Sequence, residues 1–264
     1  MPWNPAQYLQ FEGERMRPAL DLLARVPLEN PRNIIDLGCG SGNVTRLLSE
    51  RWPDAQIVGV DSSPSMLQQA RTATRDDLRF TFVAADLAHW QPAAPVDLVY
   101  SNAALHWLPD HAGLFTRVAA MVAPGGALAV QKPDNFRAAS HTLIADLARS
   151  ERWRKQLAAI VREPPVAAAS VYFGWLAPVM STVDIWLTEY LQVLPPRSDG
   201  EHPVAAWTKG TWLVPFLEAL DEQERAEFLR DYMQHLARDY PRRPDGRTLF
   251  PFRRLFIIAT TANR

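Results

Sequence analysis

Residues 34–43, IIDLGCGSGN, constrain this chain more than any other stretch. A short apolar run ends in glycines at three alternate positions, Gly38, Gly40 and Gly42. Polar and apolar residues then mix at helical spacing through NVTRLLSERW (43–52). Strand, glycine-rich loop and helix in that order make a turn that holds nucleotides, because bare backbone at a helix N-terminus lets a ligand come close. Such a turn belongs to a sheet wrapped by helices.

The neighbouring sequence agrees. Further strands are predicted at QIVGVD (56–61), RFTFVAAD (79–86), VDLVYSNA (96–103) and ALAVQKP (127–133). Helices are predicted at SSPSMLQQART (62–72) and HAGLFTRVAAMV (111–122), the first with Ser63 as N-cap and Pro64 at its first position. The strand cores are continuous apolar runs, as expected when both faces are covered and the strands run parallel through helical crossovers. The pattern changes after residue 134: residues 137–162 and 203–240 read as helical. VDIWLTEYLQVL (183–194) reads as a sixth strand and residues 249–261 as a seventh. The expected organisation is one domain with its core at about 30–134, an N-terminal lid at 1–29, and helical cap insertions at about 135–180 and 200–245.

Composition narrows the function. The 264 residues carry a formal net charge of −1 and no run of Lys or Arg, so a phosphate-backbone surface is not expected. The longest apolar stretches are too short to span a bilayer, and the N-terminus has no apolar signal-peptide core. The single cysteine, Cys39, excludes an internal disulfide and fits a reducing compartment, so a cytoplasmic location is expected.

Three acids choose the ligand. A dinucleotide fingerprint would put a third Gly at position 43, where the chain has Asn43. Asp36 lies two residues before the first Gly, a poor place for a carboxylate beside a pyrophosphate and a good one beside a cation. S-adenosylmethionine carries two cations, an ammonium and a sulfonium. Asp61 ends the second strand, where an acid accepts hydrogen bonds from a ribose diol; NAD and S-adenosylmethionine share that diol, so Asp61 alone does not choose. Asp86 closes the third strand, where a carboxylate accepts from an adenine amino group. Each acid read singly is also an ordinary loop cap.

Taken together, IIDLGCGSGN, Asp61 and Asp86 resemble the class I S-adenosylmethionine-dependent methyltransferases over residues 30–133. Segments outside that core extend the likeness. WNPAQYLQFEGERMRPALDLLARVPLE (3–29), SNAALHWLPDH (101–111), VQKPDN (130–135) and RRLFIIA (253–259) are similar to the trans-aconitate 2-methyltransferase family. The resemblance implies a Rossmann-like α/β fold with a seven-stranded, mostly parallel sheet, its last strand antiparallel, and transfer of a methyl group to a carboxylate without metal. It implies a cofactor site of Asp36, Gly38, Cys39, Gly40, Asn43, Asp61, Ser62, Asp86, Leu87 and Asn102, with Asn102 readable equally as a turn residue. Cys39 is expected to pack, because direct transfer needs no nucleophilic thiol.

An acceptor carboxylate is ionised at neutral pH, so no general base and no catalytic residue in the strict sense are expected. The site needs cations and donors. Candidates are Arg17, Lys132, Lys209, Arg253 and Arg254, with Tyr8 and His106 as neutral donors and Trp212 in the cap. The cap stretch GTWLVP (210–215) departs from the family's Gly-Thr-Gly-Leu-Arg-Pro, and Trp212 and Val214 there favour a smaller or more apolar acid. The expected partner is a small carboxylic acid, trans-aconitate first and another small or carrier-bound acid second, acting on a monomer or weak homodimer. Nucleic-acid amino methylation is disfavoured, since SNAALHW lacks the Asn/Asp-Pro-Pro-aromatic stretch. A dehydrogenase or a non-catalytic cofactor-binding regulator would use the same architecture.

Overall fold

The computed structural model describes residues 12–75 and 77–263. Ile34, Ile35 and Leu37 of β1 (Asn33–Leu37) are buried, as expected of a strand covered on both faces. It is the third strand of a seven-stranded sheet with order β3-β2-β1-β4-β5-β7-β6. The others are β2 (Gln56–Asp61), β3 (Phe80–Ala84), β4 (Val96–Asn102), β5 (Val122–Pro133), β6 (Thr182–Leu194) and β7 (Thr248–Thr260). Strands β1 to β5 pair in parallel, and β7 runs antiparallel to β5. β2 and β4 flank β1 on opposite sides, so the chain reverses its direction of travel across the sheet there. The crevice at the carboxyl ends of such a switch point is where open α/β sheets bind ligands.

Helices α1 (Glu12–Arg25), α2 (Asn43–Arg51), α3 (Pro64–Ala73) and α4 (His111–Ala120) connect or flank these strands. Ser63 caps α3 by accepting from the Met66 amide, with Pro64 at the first helical position, as its sequence predicts. Ala19, Leu22 and Leu23 of α1 are buried, and Tyr100 Oη of β4 donates to the Ala19 carbonyl at 2.7 Å. Tyr8 lies outside the described residues.

The chain divides into two units. The sheet unit comprises Arg15–Pro133, Val166–Thr188 and Arg254–Arg264. The helical unit includes Asp134–Pro165 and Glu189–Arg253. The latter holds α5 (Ala139–Arg149), α6 (Arg154–Leu157), α8 (Pro203–Lys209), α9 (Val214–Glu218) and α10 (Glu222–Asp239) around a core of Ile144, Trp153, Trp207, Phe228, Tyr232 and Phe250. Asp221 and Glu224 close a capping box at the start of α10.

Two features differ from the sequence reading. α7 (Ala169–Leu176) lies within the sheet unit, although the boundary at 180 had grouped it with the first cap insertion. Its apolar residues run all round the helix, so it carries no periodic signal of the face it buries. β5 also begins at Val122, five residues before the predicted start at 127. APGG does not end the pairing: Val96 pairs with Val122 and Leu98 with Ala127, so the intervening residues form a bulge. Gly126 permits the return, since a Cβ there would meet the Asp97 carbonyl oxygen at 2.7 Å.

Candidate active site

The glycine loop leaves β1 at Leu37 and enters α2 at Asn43. Gly38 has φ +77°, and a Cβ on it would stand 2.1 Å from Ala104 Cβ and 3.6 Å from Leu87 Cδ1. The link after β4 thus lies too close to this position for any side chain, and the turn after β3 borders the same space. Gly40 is the opposite case: a Cβ there would have no atom within 4 Å, so the loop presents bare backbone to open space. Asp61 braces that backbone. Its Oδ2 accepts from the Gly40 amide at 2.9 Å and its Oδ1 from the Ser63 amide at 2.8 Å. Asp61 is part-exposed, Ser62 beside it is exposed, and each carboxylate oxygen still has capacity to accept from a ligand hydroxyl.

Asp36 is buried at the end of β1 and accepts a hydrogen bond from Thr45 Oγ1 at 2.7 Å. Burial pushes its pKa up to about 7, opposed by the Thr45 hydroxyl and assisted by the Asp61 charge. A cation placed beside it would restore its ionisation. The Cys39 thiol is pushed far up, first by burial and then by Asp36 and Asp61, which fits packing and not nucleophilic chemistry. Asp86 is exposed and accepts from the Ala88 amide at 2.9 Å and pairs with His89 Nδ1 at 2.7 Å, bonds that hold its own turn.

The raised Asp36 pKa has a measurable sign. The folded protein keeps this proton between the ordinary value of 3.8 and about 7, so the contribution is complete below the lower value and is lost as pH rises through the upper. Asp36→Asn is neutral throughout and loses nothing. The Tm of the variant minus that of the parent is therefore expected to climb by about 5 °C or more between about pH 4 and pH 8. Differential scanning fluorimetry across that range checks it, and a flat difference would sink the assignment.

Beyond β4 the sheet edge is built differently. Parallel register pairs Asn102 with Gln131, and antiparallel register pairs Gln131 with Phe256 and Pro133 with Arg254. Side chains alternate along a strand, so Asn102, Gln131, Phe256 and Arg254 share one face, and Lys132 lies on the other. Strand alternation therefore sets Lys132 and Arg254 on opposite faces of the sheet. Lys132 is fully buried, with Nζ 3.2 Å from the Tyr172 ring centroid and 4.4 Å from that of Phe115, so two aromatic faces stabilise its charge. Tyr172 Oη lies 2.6 Å from His111 Nδ1, and His111 Nε2 lies 3.2 Å from the Leu105 carbonyl. The carbonyl only accepts, so Nε2 carries the proton and the tyrosine donates to Nδ1. These bonds position the short 3-10 turn Leu105–Trp107 that carries His106.

His106 is buried, and its ring lies 4.6 Å from that of Trp107. Burial first, then the charges of Arg254, Lys132 and His111, hold its pKa down at about 3. It is a neutral imidazole at any physiological pH. Arg254 is itself buried in β7, and Arg17 is exposed on α1.

Three other candidates belong to the helical unit. Lys209 pairs with Glu201 at 3.2 Å. Arg253 pairs with Asp134 at 3.0 Å. Trp212 packs against Phe136 at 4.9 Å and His141 at 5.8 Å between ring centres. Sequence reasoning did not single out Gln131, His111 or Tyr172. The first two sit in stretches it had already marked, and Tyr172 carries no local signal.

Comparison with known proteins fits this geometry. A model of a methyltransferase domain matches residues 34–126. A trans-aconitate 2-methyltransferase of Methylobacterium radiotolerans is 45% identical over 268 residues, covering 99% of each chain. One from Escherichia coli O6:K15:H31 is 45% identical over 257 residues, covering 97% of each. The chain belongs to the trans-aconitate 2-methyltransferase family. Members take their methyl group from S-adenosylmethionine, and this chain is a methyltransferase of that kind.

Solved structures confirm the family's fold at low identity. A putative methyltransferase of Bacillus halodurans superposes with TM-score 0.59 at 12% identity, over 94% of this chain and all of that one. Phosphoethanolamine N-methyltransferase 2 of Haemonchus contortus, bound to S-adenosyl-L-methionine, gives 0.56 at 17%, over 97% of this chain and 56% of that one. Like them, this chain has a helix-flanked sheet, here of seven strands with β7 antiparallel to β5. Among the described residues no cluster suited to a metal ion is present, and no helix is long and apolar enough to cross a membrane.

Proposed function

We propose that this enzyme esterifies a carboxylate of trans-aconitate, giving the methyl ester and S-adenosylhomocysteine. The supporting observation is Arg254, a buried guanidinium on the same face of the sheet as Asn102, whose strand ends beside the glycine loop. A planar cation there suits a carboxylate. S-adenosylmethionine supplies the methyl carbon: the carboxylate oxygen bonds to it, the sulfur–carbon bond breaks, and its electron pair stays on sulfur, with no proton moved.

The chain supplies placement. Asp36 holds the ammonium end, the Gly38–Gly42 backbone lets the donor approach, Asp61 with Ser62 holds the ribose, and Leu87 borders the adenine, with Asp86 near it. Asn43 opens the helix beneath. In-line displacement requires the acceptor to approach opposite sulfur, beyond β4, where His106 and Arg254 lie. His106, whose pKa of about 3 leaves it neutral at physiological pH, donates or accepts a hydrogen bond and adds no charge. Lys132 contributes positive potential from the other face. Alignment and exclusion of water then account for the rate.

The test is methyl transfer from labelled S-adenosylmethionine to a panel of mono-, di- and tricarboxylates. The highest kcat/KM is expected for trans-aconitate, with a profile flat above about pH 6 because the nucleophile is already ionised. A rise through about pH 7–9 would indicate a hydroxyl or amine acceptor instead. Higher kcat/KM for a smaller, less charged acid would keep the chemistry and replace the substrate.

A further inference from the structure

Gln131 is fully buried in β5, and neither its Nε2 nor its Oε1 has a hydrogen-bond partner among the described residues. Its neighbour on β4, Asn102, likewise has a buried Oδ1 without one. Buried amides are almost always satisfied, and an unsatisfied one opposes folding, so a pair of them at one sheet edge asks for a ligand. The rest of the face gives its position. Asn102 ends β4, two residues before the Ala104 that Gly38 touches, and Gln131 is one strand further from the glycine loop. On its far side stand Phe256, stacked on Trp186 at 4.9 Å, and Arg254 opposite Pro133.

We infer that Gln131 is an acceptor-anchoring residue: its Nε2 donates to a carboxylate oxygen of the substrate, with Asn102 between it and the donor. This rests on the carboxylate-acceptor reading above. The order along the edge is the one an in-line transfer needs, with donor loop, Asn102, Gln131 and Arg254 in succession. A neutral amide beside a guanidinium adds directional hydrogen bonding to charge. Gln131 thereby selects an acid that presents an oxygen on this face of the sheet, and the hydrogen bonds it does not make within the protein are the folding cost of that selection.

The experiment compares Gln131→Leu and Gln131→Glu with the unmodified enzyme, reading Tm, S-adenosylhomocysteine affinity and kcat/KM for trans-aconitate and the acid panel. For the leucine variant the expected result is an unchanged or higher Tm, unchanged S-adenosylhomocysteine affinity, and kcat/KM lower by about 10- to 150-fold. The near-isosteric glutamate variant is expected to lose more at neutral pH and to regain activity as pH falls, because only its protonated carboxyl donates. The inference is overturned if the leucine variant has a lower Tm with kcat/KM within about twofold of the parent, which would mark Gln131 as structural. It is overturned equally if S-adenosylhomocysteine affinity falls, which would place Gln131 on the donor. Should the leucine variant not fold, a glutamate variant with the parent's pH profile overturns it. An unmodified enzyme that methylates no acid in the panel overturns the acceptor reading together with this inference, whereas an active one with either contrary result overturns this inference alone.

Discussion

Gly38→Ala is expected to lower Tm by about 4–20 °C and to remove measurable S-adenosylhomocysteine binding. Two costs add. Left-handed backbone costs alanine about 1–2 kcal/mol, and φ at this position is +77°. Inserting a methyl group 2.1 Å from Ala104 Cβ forces the loop or the β4 link to move, at about 1–3 kcal/mol. The sum is about 2–5 kcal/mol, and each kcal/mol shifts Tm by about 2–4 °C in a chain of this size. Gly40→Ala is the control. It has φ +54° with open space beyond, so it suffers only backbone strain, and its methyl group intrudes on the ligand instead of on the protein. It should retain most of its Tm and still bind S-adenosylhomocysteine poorly. Calorimetric titration and thermal melts of both variants separate the two roles. Equal Tm losses would show that the loop is braced in a different way.

Arg254→Met is expected to lower kcat/KM for the acceptor by about 30- to 5,000-fold, the effect of about 2–5 kcal/mol on removing one side of a desolvated charge pair. Methionine keeps most of the stem's volume in β7, so the loss reports the guanidinium. Arg254→Lys should recover only part of the activity: it restores the charge but not the fork that meets a carboxylate with two parallel hydrogen bonds. S-adenosylhomocysteine affinity should remain that of the parent in both. Removing the charge also removes one of the influences that depress His106, so the imidazole pKa in Arg254→Met should rise from about 3, measurable by NMR titration. If kcat/KM is unchanged in Arg254→Met, the acceptor does not meet this face. If lysine restores full activity, charge alone suffices.

Much of the proposed donor half is legible in the sequence because its determinants are local. A glycine at Gly38 is needed by backbone conformation, Asp61 sits at a strand end by the period of the strand, and Ser63-Pro64 starts a helix by its own hydrogen bond. Such features need no knowledge of distant chain. The seven strands were readable for the same reason, except that β5 starts at Val122, ahead of the expected 127, because tertiary pairing with Val96 carries the strand through APGG.

The acceptor half was decided by tertiary structure. Lys132 and Arg254 are far apart in the chain, and only the antiparallel register between β5 and β7 assigns them to opposite faces. A shift of one residue would have reversed that assignment. Tyr172 lies on an evenly apolar helix, and its role as a lid on the Lys132 ammonium follows from packing that no periodicity announces. Gln131 was visible as a letter in a strand, but its unmet hydrogen bonds exist only once the fold has removed water from it. The sequence by itself determined the fold and the loop at which the methyl donor is proposed to bind, since backbone geometry and helix capping act over a few residues. Which charges face the acceptor was left to the sheet register, because burial and pKa depend on residues that only the folded chain brings together.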